Sequence, residues 1–237
     1  MRLDNYLVAN ALAKSRTKAG ELIKASFVSV NSKVITKSSF VLKESDEVEI
    51  KEHKAYVSRS AHKLASFLDE LELELDLEDF VALDIGSSTG GFTEVLLENG
   101  VKEVSSVDVG YEQLHKSIKE DPRVTSYESC DIREFKSEKH FDIVVSDVSF
   151  ISLLNILDDI DRLAYSKIIL LFKPQFEVGR EAKRDKHGVV TDPKAIERAM
   201  IKFEDATKLK EWRLVKKSPS KLTGKEGNLE YCYFFTK

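Results

Sequence analysis

Residues 81–94 read "VALDIGSSTGGFTE": an apolar run closed by Asp84, glycines at 86, 90 and 91, then the start of a helical pattern. A short apolar run bounded by glycine reads as a buried strand. Gly86, Gly90 and Gly91 let the backbone come close to a ligand, and the helix that follows offers free N–H groups at its N-terminus. The stretch predicts strand, close-approach turn and helix, the opening unit of an α/β sheet. A tight strand–helix turn without a ligand would use the same glycines, so the decision rests on the rest of the chain.

Downstream, strand patterns over 80–85, 103–108, 124–128, 141–146 and 167–172 alternate with helical patterns over 91–99, 112–119 and 151–164. Such alternation predicts a mostly parallel sheet with helices on both faces. A loop is expected over 174–191. Asp192 as N-cap and Pro193 at the first helical position open a helix over 193–209. Strands over 212–217 and 229–236 follow with no helix between them, which predicts an antiparallel hairpin at that edge. Upstream, Ser58 opens a helix to about Leu71 whose buried stripe is Ala61, Leu64, Ala65, Leu68 and Leu71.

Before that helix the pattern is smaller in scale. Leu3, Leu7, Val8, Ala11 and Leu12 recur at helical spacing, and Ser15 caps a second helix with Ala19, Leu22 and Ile23 on one face. Residues 27–31 and 46–50 read as strands. The charged stretch "KEHKA" (51–55) marks a joint. The expected organisation is a small α+β domain over 1–52, a linker over 53–58 and an α/β domain over 59–237.

Composition fits two folded domains: 237 residues, of which 42% are hydrophobic. The net charge of −4 hides an asymmetry. Residues 1–60 carry 11 Lys and Arg against 7 Asp and Glu, while 61–237 carry 26 against 34. That is the pattern of a basic interaction module on an acidic body. Cys130 and Cys232 lack metal-ligand spacing, so no metal site is expected and a reduced, cytoplasmic protein is. There is no signal-peptide core and no apolar run of the ~20 residues a membrane span needs.

In a sheet of this kind ligands lie outside the carboxyl ends of the strands. Asp84, Asp108, Asp131, Asp147 and Lys173 each stand at such an end. One charge there is ordinary solvent exposure; five from five strands predict a site. Lys173 follows the apolar run Ile168 to Phe172 directly, an unusual place for a strongly hydrated cation. Asp108, 24 residues after Asp84, stands where Rossmann-like folds hold a ribose hydroxyl pair. Asp131 is placed to meet an adenine edge. With Gly86, Ser88, Gly90, Gly91 and Phe92 in the loop, the set predicts a nucleoside-containing cofactor. The loop lacks the pyrophosphate fingerprint of NAD sites. The terminal hairpin also favours S-adenosylmethionine, because a seven-stranded sheet with an inserted antiparallel last strand is the architecture of Rossmann-like methyltransferases.

Residues 81–236 resemble the FtsJ-like ribose 2′-O-methyltransferases, and residues 2–50 resemble an S4 RNA-binding domain. With "YVSRSAHKL", "LDIGSSTGGFT", "DVSFIS", "FKPQFE" and "GNLEY", nearly the whole chain is similar to the TlyA (haemolysin A) family of rRNA methyltransferases. The resemblance implies 2′-O-methylation of a cytidine in ribosomal RNA, with the large subunit expected for so compact a chain and the small subunit as a second substrate of longer members. It also implies a link to capreomycin and viomycin sensitivity, and a catalytic tetrad of Lys63, Asp147, Lys173 and Glu230. Glu226 is the less suitable glutamate, being expected in a loop. Lys63 lies off its helix's apolar stripe and could equally be a solvated lysine.

The residue types suit the chemistry. A ribose hydroxyl needs alignment and a base. Desolvation at a strand end favours the neutral amine of a lysine, so Lys173 is the expected proton acceptor, with Asp147 and Glu230 orienting the lysines. Asp147 is shared with the cofactor set. "SDVSF" lacks the proline pair of amino-group methylating enzymes, and neither cysteine follows a proline as a cytosine-attacking thiol would. Both absences favour oxygen as the acceptor.

Arg2, Lys14, Arg16, Lys18 and Lys24 are expected to form a phosphate-binding face on the first two helices. Arg59, and Arg180 and Arg184 in a basic loop, are expected to extend it. Two positions depart from the S4 pattern, which often has glycine where Ser26 and Ser32 stand. A pore-forming haemolysin and a non-catalytic RNA-binding protein are the competing readings.

Overall fold

The computed structural model describes residues 1–24, 27–50, 56–71 and 75–237. Its contacts separate two compact units, Met1–Ala55 and Tyr56–Lys237. The expected linker at 53–58 lies partly outside the described residues, as does Ser26.

The first unit comprises α1 (Leu3–Ala9), α2 (Arg16–Lys24), β1 (Val28–Val30), β2 (Lys33–Val34) and β3 (Val48–Ile50). The strands form an antiparallel sheet in the order β2-β1-β3. Leu3 and Leu7 of α1 and Ala19 and Ile23 of α2 pack on Val28 and Val30. Each helix is too short to stand alone, so this shared apolar face holds the unit together. Ser32 holds φ +63° beside Asn31 at +50°. The β1–β2 turn thus keeps the left-handed backbone that glycine adopts without strain, with serine in its place.

The second unit runs α3 (Arg59–Asp69), β4 (Val81–Ile85), α4 (Gly91–Glu98), β5 (Glu103–Val107), α5 (Lys116–Lys119), β6 (Val124–Tyr127), β7 (Phe141–Ser146), α6 (Leu157–Leu163), β8 (Ala164–Phe172), α7 (Pro174–Glu177), α8 (Pro193–Lys208), β9 (Arg213–Pro219) and β10 (Tyr231–Thr236). The seven strands lie in the order β6-β5-β4-β7-β8-β10-β9. β4 to β8 are parallel, and β10 inserts antiparallel between β8 and β9.

Alternation along each strand divides the core into two layers. In β8, Ile169 and Leu171 join Ala82, Val145 and Phe234 under α3 and α4. Ile168, Leu170 and Phe172 join Leu83, Val144 and Tyr233 under α6 and α8. Each such side chain contributes about 1.5–3 kcal/mol when fully buried, so a register slip in β8 would lose both layers at once.

Three expectations need correction. The helix expected over 151–164 is a 3-10 turn at Leu153–Asn155 followed by α6, because β8 begins at Ala164 rather than 167. The helix over 112–119 shrinks to α5: Glu112 sits at φ +51° and the His115 side chain caps the single turn that remains. The loop over 174–191 opens with α7, started by Pro174 at the first helical position. That is the signal that Pro193 supplies at α8, where Asp192 accepts the Ala195 N–H at 3.0 Å.

Candidate active site

Five strand-end charges converge as the topology requires. Asp84 is the penultimate residue of β4, Asp108, Asp147 and Lys173 directly follow β5, β7 and β8, and Asp131 lies in the loop after β6. A cavity of about 350 Å³ opens beside them, with Gly86, Ser88, Asp108, Asp131, Asp147 and Phe150 among its walls. That volume is at the lower end of small-ligand sites.

Asp84 is fully buried. Its Oδ2 accepts the Thr93 hydroxyl at 2.6 Å, and the Thr93 and Ser106 hydroxyls lie 2.8 Å apart. Oδ1 has no hydrogen-bond partner among the described residues. Burial pushes the carboxyl up to about 7; the Thr93 hydrogen bonds hold it back, and the charges of Asp147 and Asp108 add to the rise. A buried acidic oxygen without a partner is costly; Asp84 itself is not a wall of the cavity, which its chain neighbours Ile85 and Gly86 line.

Asp108 braces the loop. Its two oxygens accept the backbone N–H of Ser88 at 2.8 Å and of Gly110 at 2.6 Å. Asp131 is gripped by Arg133 through bonds of 3.0 and 2.5 Å, and that guanidinium holds its carboxyl below the usual range. Both carboxylates reach the cavity wall already oriented.

The glycines divide. Gly86, at φ +78°, lines the cavity, and a Cβ there would come within 3.1 Å of Val148 Cα. Gly91 faces away from it: the space of its missing Cβ is taken by the Ser58 and Ser60 hydroxyls at the start of α3. Gly90 caps α4 against Leu114 and Ile118. Phe92 belongs to the core layer under α3 and α4. Gly90, Gly91 and Phe92, expected at the cofactor, are not among the walls of the cavity; all three take part in helix packing, because α4 must seat against both the sheet and α3.

The second cluster is a set of two buried ion pairs. Lys63 Nζ pairs with Glu230 Oε2 at 2.5 Å, with the two residues 8% and 2% exposed. Lys63 is thus no solvated lysine, although it lies off the apolar stripe of α3. Lys173 is 7% exposed, and its Nζ lies 2.7 Å from Asp147 Oδ1, 2.8 Å from Ser149 Oγ and 3.2 Å from the Asp147 carbonyl. Glu230 immediately precedes β10, while Glu226 is exposed. The antiparallel strand explains the meeting: Tyr231 pairs with Phe172, so the start of β10 lies at the carboxyl end of β8. Breaking such a buried pair costs about 3–5 kcal/mol.

Several residues escaped the sequence reading. Ser149 holds Lys173, and the Gln175 amide donates to Glu230 Oε1 at 3.0 Å. Phe150 is 92% exposed at φ +66°, its ring 5.2 Å from that of Phe176. Glu177 accepts the Ser152 hydroxyl at 2.5 Å and the Leu153 N–H at 2.8 Å, tying α7 to the loop after β7; burial pushes its carboxyl up. All lie in "DVSFIS" and "FKPQFE", so the signal was proximity to Asp147 and Lys173 in those motifs.

The basic residues fall in both units. In the first, Lys14, Lys18 and Lys24 are exposed. Arg2 and Arg16 converge on buried Asp4 at 2.8 and 3.1 Å, which holds both guanidiniums in place. In the second, Arg59 is half-buried with Nε unpartnered among the described residues, and Arg180 and Arg184 are exposed. Arg184 donates to the Gln175 carbonyl at 3.1 Å. Among the described residues there is no cluster of metal-ligating side chains and no helix long and apolar enough to cross a membrane.

With that geometry in place, similarity to known proteins is informative. A family model described as FtsJ-like methyltransferase matches residues 56–237, and one for the S4 domain matches residues 1–48. The chain is 43% identical to the 23S rRNA (cytidine-2′-O)-methyltransferase TlyA of Campylobacter jejuni, over 100% of both chains. It is 37% identical to the 16S/23S rRNA (cytidine-2′-O)-methyltransferase TlyA of Mycobacterium tuberculosis, over 97% of this chain and 87% of that one. A solved structure from Streptococcus thermophilus, described only as a candidate hemolysin, superposes with a TM-score of 0.74 at 31% identity, covering 100% of this chain and 88% of that one.

Proposed function

The chain belongs to the TlyA family of FtsJ-like methyltransferases that carry an S4 domain, and on that premise we propose that it methylates a cytidine 2′-hydroxyl of large-subunit ribosomal RNA, using S-adenosylmethionine, in the cytoplasm. The observation that carries the reading is the pair of buried ion pairs, Lys63–Glu230 and Lys173–Asp147, at the edge that also bears the acid-lined cavity.

The residues present fit the cofactor. Asp108, on the cavity wall, suits a ribose diol, and the buried, unpartnered Asp84 Oδ1, next in the chain to the wall residues Ile85 and Gly86, is the acidic oxygen this reading assigns to its ammonium group. Asp131 stands at the wall for the adenine. When bound, the cofactor supplies a methyl group already activated on a sulfonium. What the chain must add is alignment and a base.

Lys173 is the group that takes the hydroxyl proton in this reading. Asp147 and Ser149 hold its amine at one point, so the acceptor is set before the substrate arrives. Lys63, fixed by Glu230, offers a positive charge to the developing alkoxide. Burial keeps water from competing for either lysine.

A ribose within folded RNA is out of reach unless its nucleotide is extruded. Phe150 offers an exposed ring at the cavity rim on which an extruded base can stack. The S4 residues Arg2, Lys14, Arg16, Lys18 and Lys24, with Arg59, Arg180 and Arg184, are the phosphate contacts of this reading. The division of labour follows the boundaries 1–52 for RNA binding and 59–237 for transfer.

The test is incubation with methyl-labelled S-adenosylmethionine and purified ribosomal subunits or naked rRNA, followed by mapping of the label. One 2′-O-methylated cytidine in large-subunit RNA is expected. No incorporation into any of these substrates would sink the proposal.

A further inference from the structure

Gln175 lies in α7, two positions beyond Lys173. Its Nε2 donates to Glu230 Oε1 at 3.0 Å, while Lys63 donates to Glu230 Oε2 at 2.5 Å. Each oxygen of the carboxylate thus has its own donor, and the two donors come from different elements. The opposite amide orientation would set oxygen against oxygen, so the network decides the assignment. Gly224 completes the enclosure: a Cβ there would lie 2.5 Å from Glu230 Oε1.

The other side of the amide is less comfortable. Gln175 Oε1 is buried and has no hydrogen-bond partner among the described residues. An orphaned buried acceptor lowers stability; an unbranched apolar side chain would remove that loss only by leaving Glu230 Oε1 without its donor. Glutamine here satisfies one buried oxygen, Glu230 Oε1, and strands another, its own. Local rules are broken in this way where a site demands it.

We propose that Gln175 is a positioning residue for methyl transfer: it holds the Glu230 carboxylate in the orientation that fixes Lys63, and so extends the tetrad to five side chains. The charged groups facing this point are Glu230, Lys63 from α3 and Arg184, whose guanidinium is on the Gln175 carbonyl. Lys173, the N-cap of α7, is engaged by Asp147. The inference rests on the proposed chemistry of Lys63 and Glu230.

Two variants of the full chain test it. Gln175→Met removes both the donor and the orphan. Glu230 Oε1 is then left without its donor, so the melting temperature should fall by a few degrees, while its affinity for S-adenosylmethionine should be unchanged. Its kcat should fall roughly ten- to a hundredfold, the range expected for losing a hydrogen bond to a charged group, with KM for RNA unchanged. Gln175→Glu sets two carboxyls in contact, which cannot both ionise. While they share a proton it mimics the amide donor, so activity should survive at low pH and fall as pH rises between about 6 and 9. The wild-type rate rises or levels over that range, as base catalysis requires.

A wild-type kcat for Gln175→Met would overturn the inference, as would a Gln175→Glu profile that superimposes on the wild type. Absence of methylation by the wild type would instead defeat the proposed function. In that event stability still decides the contact: Gln175→Glu should lose stability as pH rises, and adding Glu230→Gln should abolish that slope. A slope that persists in the double variant would show that residue 175 does not act through Glu230.

Discussion

Replacing Glu230 by leucine tests whether the Lys63–Glu230 pair is a feature of the fold or of the chemistry. The side chains are 10% and 2% exposed, so Glu230→Leu leaves a buried ammonium and the Gln175 amide without their acceptor. Removing one partner of a buried pair costs about 3–5 kcal/mol, whereas replacing both by apolar residues of similar size is often neutral or stabilising. At about 2–4 °C per kcal/mol for a unit of this size, the single change should lower the melting temperature by roughly 6–20 °C. Adding Lys63→Met should restore most of it. Methyl incorporation into rRNA should be lost in both variants: the single one leaves the Lys63 ammonium without the carboxylate that fixes it, and the double one has no charge there to steady the alkoxide. Thermal melts and labelled-methyl assays on the single and double variants decide the matter. If the double variant is no more stable than the single one, the pair does not balance its own burial as argued. If the double variant still methylates, the pair is structural and the catalytic role falls.

Three further outcomes follow. Lys173→Ala should abolish methyl transfer while affinity for S-adenosylmethionine, read by calorimetry, stays within a fewfold of wild type; loss of that affinity would move Lys173 into the cofactor pocket. Burial holds the Asp84 carboxyl at about 7; between about pH 4, where an exposed aspartate titrates, and pH 7, the folded chain holds a proton the unfolded chain has released. Stability of the free protein should fall by roughly 4 kcal/mol as pH rises through that window and level above it, while affinity for the cationic cofactor rises. Asp84→Asn should flatten both slopes in pH-resolved denaturation and calorimetry. Gly91→Ala forces a methyl onto the Ser58 and Ser60 hydroxyls and should destabilise by about 1–3 kcal/mol, with cofactor affinity in the surviving folded protein little changed; a selective loss of affinity would return Gly91 to the cofactor.

Much of the large unit was legible before any coordinates. Hydrophobic periodicity is local, so β4, α4, β5, β7 and α8 stood out with their ends close to where the structure has them. The parallel topology followed from their alternation, and so did the edge bearing Asp84, Asp108, Asp131, Asp147 and Lys173. Where local signals weakened, the reading slipped. α5 lost its first turn to a left-handed residue at Glu112, and α7 hid in a loop although Pro174 announced it.

The site divides along the same line. A single sequence could say that Lys173 ends the most apolar strand, and chemistry could say why a base belongs there. It could not tell that Lys63 is buried, because a position off the apolar stripe reads the same whether solvent or Glu230 covers it. That contact spans 167 residues and exists only because β10 enters antiparallel beside β8, bringing the start of one strand to the end of the other. Nor could the glycine loop show which glycine faces the cavity and which faces α3, since both read alike until the helices are packed. Spacing along the chain determined which residues reach the edge of the sheet. Strand order and helix packing, set by long-range burial, decided which of them touch.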